Sequence, residues 1–235
     1  MMGDKLIIEI ENLNKNYNEK VIFNKFNLSI KKDIITVILG PSGCGKTTLL
    51  NLLSKIDLDY KGSININSDK LSYVFQEDRL LPWLNVKENI MFVNDKLTEK
   101  KINDILKDLN LEKEINSYPQ KLSGGMKQRV SIARAYSYDS KIMLMDEPFK
   151  SLDILLKKDL LGKLAALWDK NRNSIILVTH DPLVASLLAD RIVFLSKSPV
   201  KILGEIELDL DKKLRFKNSE YVENITEEIH RILGE

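Results

Sequence analysis

The chain of 235 residues contains one cysteine, two histidines and no long run of apolar residues. A single thiol, Cys44, excludes an internal disulfide framework and suits a reducing compartment. Apolar stretches such as Ser174 to Thr179 are strand-sized and fall far short of the roughly eighteen residues that span a bilayer. Met1 to Glu11 mixes charges without a long apolar core, so it does not read as a secretory leader. Charge of one sign is also missing. The 36 basic and 34 acidic residues leave +2, too weak a field to collect a nucleic-acid backbone, and no nucleic-acid partner is expected. Repeats, long heptad runs and zinc-type cysteine pairs are absent. A soluble, cytoplasmic chain is expected, and its 43% hydrophobic residues suffice for one sizeable core. Any membrane role must come through a partner.

Residues 40 to 48, Gly40-Pro41-Ser42-Gly43-Cys44-Gly45-Lys46-Thr47-Thr48, fit the pattern G-x-x-x-x-G-K-[ST] of a phosphate-binding loop. Its glycines let the chain curl round an anion with N–H groups pointing inward. A helix opening near Lys46 adds the positive end of its dipole. In this motif Lys46 reaches the β and γ phosphates and the Thr47 hydroxyl holds Mg²⁺. The β-rich run Ile34 to Leu39 ends where the loop begins, which is the context the motif needs. Cys44 is expected to be a small side chain in a tight turn; a reactive thiol is the alternative.

Strands are expected at 5–11, 26–30, 34–39, 62–67, 71–75, 141–145, 174–179 and 192–195, with those at 62–67 and 71–75 joined by a polar turn at Ser68-Asp69. Lys201 to Leu210 offers edge strands. Helices are expected at 46–55, 98–109 (apolar at 102, 105, 106 and 109) and 123–136, the last with Ser123 as N-cap. Another runs between the strands at 141 and 174, with Leu152, Leu155, Leu156, Leu160, Leu164, Leu167 and Trp168 on one broad face, and a last one covers 220–233. The βαβ pattern predicts a parallel sheet with right-handed crossovers. The fold class is α/β, with an all-helical insertion at about 78–140.

A second apolar strand, Ile142 to Met145, ends in Asp146-Glu147. Ligands of open α/β sheets bind at the carboxyl ends of strands. Asp146 is therefore placed to hold Mg²⁺, and Glu147 to orient and partly deprotonate an attacking water. Thr179-His180-Asp181 also ends an apolar strand, where a histidine could touch the γ-phosphate and the water.

With Leu122-Ser123-Gly124-Gly125-Met126 ahead of Lys127-Gln128-Arg129, the chain resembles the ATP-binding cassette of ABC transporters. The resemblance covers almost all of the chain. It implies a P-loop NTPase core with a parallel sheet, an antiparallel β subdomain and an inserted helical subdomain. These form one domain, with the core at about 1–77 and 141–235 and the helices at 78–140. The resemblance further implies that Ser123, Gly124 and Gly125 cap the γ-phosphate held by a second copy, in a head-to-tail dimer with ATP sandwiched between. Tyr17 matches the aromatic that stacks on adenine, Phe23 or a core role being the alternatives. Gln76 matches the glutamine that senses Mg²⁺ and the transport domain, His180 the switch histidine, and Ser151-Leu152-Asp153 the loop crossing the dimer interface. The chain departs from the family pattern at Met126, usually glutamine, and at Lys150, where small residues are usual.

Gln76 to Asn89, with its run Leu80-Leu81-Pro82-Trp83, is similar to importers for nitrate, taurine, aliphatic sulfonates and thiamine precursors. Ser196 to Ile202 lacks the glycine usual in that group. An importer ATPase is implied, peripheral on the inner face of the cell membrane, working with an integral-membrane permease and a solute-binding protein. Trp83 either docks the permease or packs the helical insertion. An export or lipoprotein-release cassette is the nearest rival, and a non-transport cassette a more distant one.

Overall fold

The computed structural model describes residues 5–150 and 152–234. β1 (Leu6–Tyr17) and β2 (Lys20–Lys31) form an antiparallel hairpin. Both run well beyond the expected 5–11 and 26–30. The alternation breaks near Glu11 because the register shifts between Ile10 and Lys15, and Asn12 and Lys25 adopt φ of 50°. Such bulges add residues to one strand and re-aim its side chains, so Leu13 and Lys15 point inward beyond the break.

β3 (Ile35–Leu39) follows, fully buried, and leads into α1 (Lys46–Leu53). β4 (Lys61–Ile66) adds to β1, giving a three-stranded antiparallel sheet in the order β2-β1-β4. β5 (Leu71–Val74) lies in a different sheet. The polar turn between them is present, with the Ser68 hydroxyl bonded to Lys70, but it is a crossing between two sheets rather than a hairpin. Half-exposed β4 suits an edge; β5 buries Ser72 and Val74 in the main sheet.

Three α-helices separate β5 from the next strand: α2 (Val86–Met91), α3 (Glu99–Asp108) and α4 (Gly124–Ser137). Asn85 and Glu88 form a capping box on α2, which satisfies two N–H groups that a helix start leaves unpaired. α3 buries the expected stripe of Ile102, Ile105 and Leu106, and the Ser123 hydroxyl caps α4 by accepting from the Met126 N–H.

β6 (Ile142–Asp146), α5 (Ile154–Asn171), β7 (Ser174–Thr179), α6 (Pro182–Leu188), β8 (Arg191–Leu195), β9 (Ile202–Glu207), α7 (Lys212–Arg215) and α8 (Ser219–Leu233) complete the chain. The main sheet has the order β5-β6-β7-β3-β8-β9. Only its edge strand β9 pairs antiparallel. Val37 and Leu39 face the helices while Ile38 faces the hairpin sheet, the two-residue period of a strand buried on both faces.

α5 departs from the broad apolar face expected of it. Leu160, Leu164, Leu167 and Trp168 are buried, but Ile154, Leu155 and Leu156 are exposed. The helix starts on the loop beyond the carboxyl end of β6, and its opening turn has no sheet beneath it. Asp153 caps that turn through the N–H groups of Leu155 and Leu156. Ser151, of the loop expected to cross a dimer interface, lies outside the described residues. Among the described residues no helix is long and apolar enough to cross a membrane.

The register fixes the site. Leu39 pairs with Thr179 and Asp146 with Val178, so the chain leaves β3, β6 and β7 side by side. Gly40, Glu147 and His180 emerge together at the carboxyl edge of the sheet.

Candidate active site

The loop between β3 and α1 is tight at both ends. A Cβ on Gly40 would fall 2.9 Å from the Leu195 carbonyl oxygen and 3.1 Å from the Cys44 Sγ. Gly45 has φ of +120°, and a Cβ there would meet Ile22 at 2.7 Å, so only glycine fits. The Cys44 thiol is buried, and burial pushes its pKa above the ordinary thiol value. That is the small side chain of a tight turn, not a reactive thiolate. Gly45 precedes α1 with no side-chain cap, leaving the first N–H groups of the helix open to an anion.

Lys46 is 7% exposed. Its ammonium donates to the carbonyls of Gly40 at 2.7 Å and Pro41 at 3.1 Å, and lies 3.8 Å from Glu147 Oε1. A cation is thus held across the mouth of the loop. Glu147 is anchored from three sides. Its N–H donates to the Val178 carbonyl at 3.0 Å, the Thr179 hydroxyl donates to its Oε2 at 3.2 Å, and His180 Nδ1 lies 2.9 Å from its Oε1. Its φ is 45°, a sparsely populated conformation that persists only where the surroundings over-determine it. The backbone turns sharply after β6 and delivers this carboxylate beside the loop.

A cavity of about 340 Å³ is lined by Tyr17, Lys20, Ile22, Ser42, Gly43, Gly45, Lys46, Thr47, Thr48, Gln76, Glu147 and Lys150. Nine of the residues expected at the site thus share one wall. Gly40, Pro41 and Cys44 form the loop behind it. His180 is reached through Glu147, and Asp146 borders an adjoining cavity of about 320 Å³ with Thr47, Gln76, Asn51 and Tyr73. Ser123, Gly124 and Gly125 line neither cavity. Phe23 is fully buried against Phe26, with ring centroids 5.0 Å apart, and cannot offer a face to a base. Tyr17 is 45% exposed.

Asp146 is 4% exposed, and its Oδ1 is buried without a hydrogen-bond partner. Its Oδ2 accepts from the Tyr73 hydroxyl at 3.5 Å. Burial raises the carboxyl pKa above its ordinary value, Glu147 adds to this, and Thr47, Tyr73 and Lys46 act the other way. An orphaned carboxylate oxygen on a residue that lines one cavity with the Thr47 hydroxyl and the Gln76 amide belongs to a hard oxygen donor set, which fits Mg²⁺. Among the described residues no group of three His, Cys, Asp or Glu side chains could hold a metal by itself.

Several participants were not legible in the sequence. Lys20, Ile22, Asn51 and Tyr73 reach the cavities from β2, α1 and β5, and no local motif marks them. Thr179 had a signal, since it ends an apolar strand beside β3.

The arrangement of phosphate loop, strand-end acids and crossover helices is that of a nucleotide-hydrolysing α/β domain. The family model described as ABC transporter matches residues 23–150. The aliphatic sulfonates import ATP-binding protein SsuB of Bacillus cereus is 35% identical over 95% of this chain and 94% of its own length. That of Pseudomonas syringae pv. tomato is 37% identical over 80% of this chain and 82% of its own. Among solved structures, a dimeric bacterial ABC transporter cassette is 30% identical, with a TM-score of 0.75 over 86% of this chain and 99% of that one. A post-hydrolysis dimeric cassette bound to ADP and Pi is also 30% identical, with a TM-score of 0.72 over 84% and 99%. The chain belongs to the ABC transporter family and is an ATP-binding, ATP-hydrolysing cassette of it.

Proposed function

We propose that this chain is the ATPase subunit of a bacterial-type importer. It would drive uptake of a small solute such as nitrate, taurine, an aliphatic sulfonate or a thiamine precursor through a partner permease, from the inner face of the membrane. The observation that carries the hydrolytic part is the single cavity on which the phosphate loop, Gln76 and Glu147 converge. The importer part is supported by the likeness to sulfonate-import subunits along nearly the whole chain.

The loop N–H groups and Lys46 bind the β and γ phosphates, and Tyr17 offers its face to the base. Glu147 orients a water and accepts its proton, while His180, bonded to Glu147, reports on the γ-phosphate. Thr47, Gln76 and Asp146 would hold Mg²⁺, which when bound neutralises charge developing on the transferred phosphoryl group. Catalysis is then mostly positioning and charge neutralisation. Ser123, Gly124 and Gly125 stand away from this cavity at the N-terminal end of α4, where Ser123 is the N-cap, which suits their capping the γ-phosphate of a second copy. A solute-binding protein would complete the complex, and the solute itself would not touch this chain.

Trp83 tests the permease contact. It is 69% exposed, and Leu80 and Leu81 beside it are only half-buried, so it does not pack the helical insertion. An aromatic anchor of this kind is a common hot spot, worth about 2 kcal/mol or more, roughly 30-fold in affinity. Trp83→Ala is expected to melt within a few degrees of the parent and to bind ATP equally well, while its permease no longer co-purifies with it. Unfolding of the variant, or full retention of the permease, would count against docking through Trp83.

A further inference from the structure

Lys15 is a buried cation with no part in the chemistry above. Its side chain is 3% exposed, and the ammonium lies 2.9 Å from Asp57 Oδ2 and 3.2 Å from Asp59 Oδ2. It also donates to the Asp59 carbonyl at 2.6 Å. The same nitrogen sits 4.7 Å from the centroid of the Tyr17 ring. Asp57 closes the cluster by accepting the Tyr17 hydroxyl at 3.0 Å. Tyr17 is therefore held at two points, a cation against its face and a hydrogen bond at its tip.

The two sides of the ring differ. Tyr17 lines the phosphate-loop cavity but Lys15 does not; Lys15 borders a separate cavity with Val21, Phe23 and Asp59. The ammonium covers one face of the ring, and the 45% exposure that Tyr17 keeps leaves ring surface open at the phosphate-loop cavity it lines. Asp57 lies a few residues beyond α1, the helix that starts on the phosphate loop. The cluster therefore ties the ring to the helix that binds the phosphates. Burial draws the Lys15 pKa down, and the hydrogen bonds and attraction of Asp57 and Asp59 more than offset it, so it stands above its ordinary value. The Asp57 carboxyl is held below its ordinary value, first by the Lys15 hydrogen bond. Both groups are charged at neutral pH.

We propose that Lys15 and Asp57 are positioning residues that lock Tyr17 as a preformed platform for the adenine base, one ring face against the ammonium and the other turned to the nucleotide. This rests on the assignment of Tyr17 as the base-stacking residue. A ring fixed before binding loses less rotamer freedom on stacking, so part of the ordering cost is removed. The design also explains why a lysine is buried in a strand: its charge is fully paired, and the pair does positional work on a neighbour.

The test compares Mg-ATP with inorganic tripolyphosphate, which has the same phosphates and no base. Asp57→Ala removes the tether but leaves Lys15 paired with Asp59, and Tyr17→Phe removes only the hydroxyl. Each is expected to weaken ATP binding about three- to tenfold, the size of one hydrogen bond, and the double variant no more than either alone. Tripolyphosphate affinity is expected to stay unchanged in all three. Lys15→Met should likewise affect ATP alone. Unchanged ATP affinity in Asp57→Ala and Tyr17→Phe, with Tyr17→Ala clearly weakened, would overturn the lock and keep the platform. No loss in Tyr17→Ala would overturn the platform itself. Parallel loss of ATP and tripolyphosphate in Asp57→Ala would make Asp57 a scaffold of the loop and also overturn the proposal.

Discussion

Glu147→Gln is expected to lower turnover at least 100-fold while ATP binding is kept or tightened. An amide cannot accept the proton of the attacking water, and general-base catalysis is worth about 10²–10⁴ in rate. The substitution is nearly isosteric. The glutamine carbonyl can still accept from the Thr179 hydroxyl, now 3.2 Å from the carboxylate, and the amide can meet His180 Nδ1, now at 2.9 Å. The Val178 carbonyl bond at this position, where φ is 45°, involves only the backbone and is untouched by the substitution, so the local geometry should survive. Loss of the negative charge removes repulsion toward a bound triphosphate, since a carboxylate this little exposed (10%) is weakly screened. The variant should therefore accumulate as an ATP-bound dimer. Single-turnover phosphate release and size-exclusion chromatography with ATP would check both parts. Hydrolysis within a factor of a few of the parent would show that Glu147 is not the base.

How far the site could be read depends on how local each part is. The phosphate loop lies in one unbroken stretch, and its strand and helix are predicted from flanking residues alone. The acids of β6 are equally local, because a buried strand ends where its polar residues begin. Parallel pairing of β3, β6 and β7 then follows from their continuous apolar character and the helices between them. Parts made by long-range register were not legible. The break in β1 hides its second half, which carries Lys15 and Tyr17, because the register shift near Asn12 erases the alternation that signals a strand. β4 and β5 look like partners in sequence, and only the competition of two sheets for them separates them. α6 and α7, of seven and four residues, are too short for a helical stripe to develop. Leu155 and Leu156 carry the apolar spacing of a core helix, yet they are exposed, since spacing does not say where the sheet stops.

Lys46→Ala is expected to lose most nucleotide affinity, by about 1.5–3 kcal/mol or roughly 10- to 150-fold, the worth of a charge-assisted hydrogen bond at a buried position. The structure explains why the loss should fall on binding rather than on folding. The ammonium is held by the carbonyls of Gly40 and Pro41, the first two residues of the loop, and water can take over those acceptors when the lysine is gone. Glu147 loses its nearest cation, 3.8 Å away, but keeps its bonds to Thr179 and His180. The fold around α1 rests on Leu49, Leu50, Leu52 and Leu53, all buried, and none of these contacts depends on the charge. Lys46→Met separates the contributions. It restores the aliphatic stem without the charge, so an affinity equal to that of the alanine variant would assign the effect to the ammonium. Isothermal titration with Mg-ATP, alongside a thermal melt, makes the comparison. If Lys46→Ala binds ATP as the parent does, the backbone N–H groups of the loop and of α1 carry the phosphates alone, and Lys46 is there to hold the loop closed.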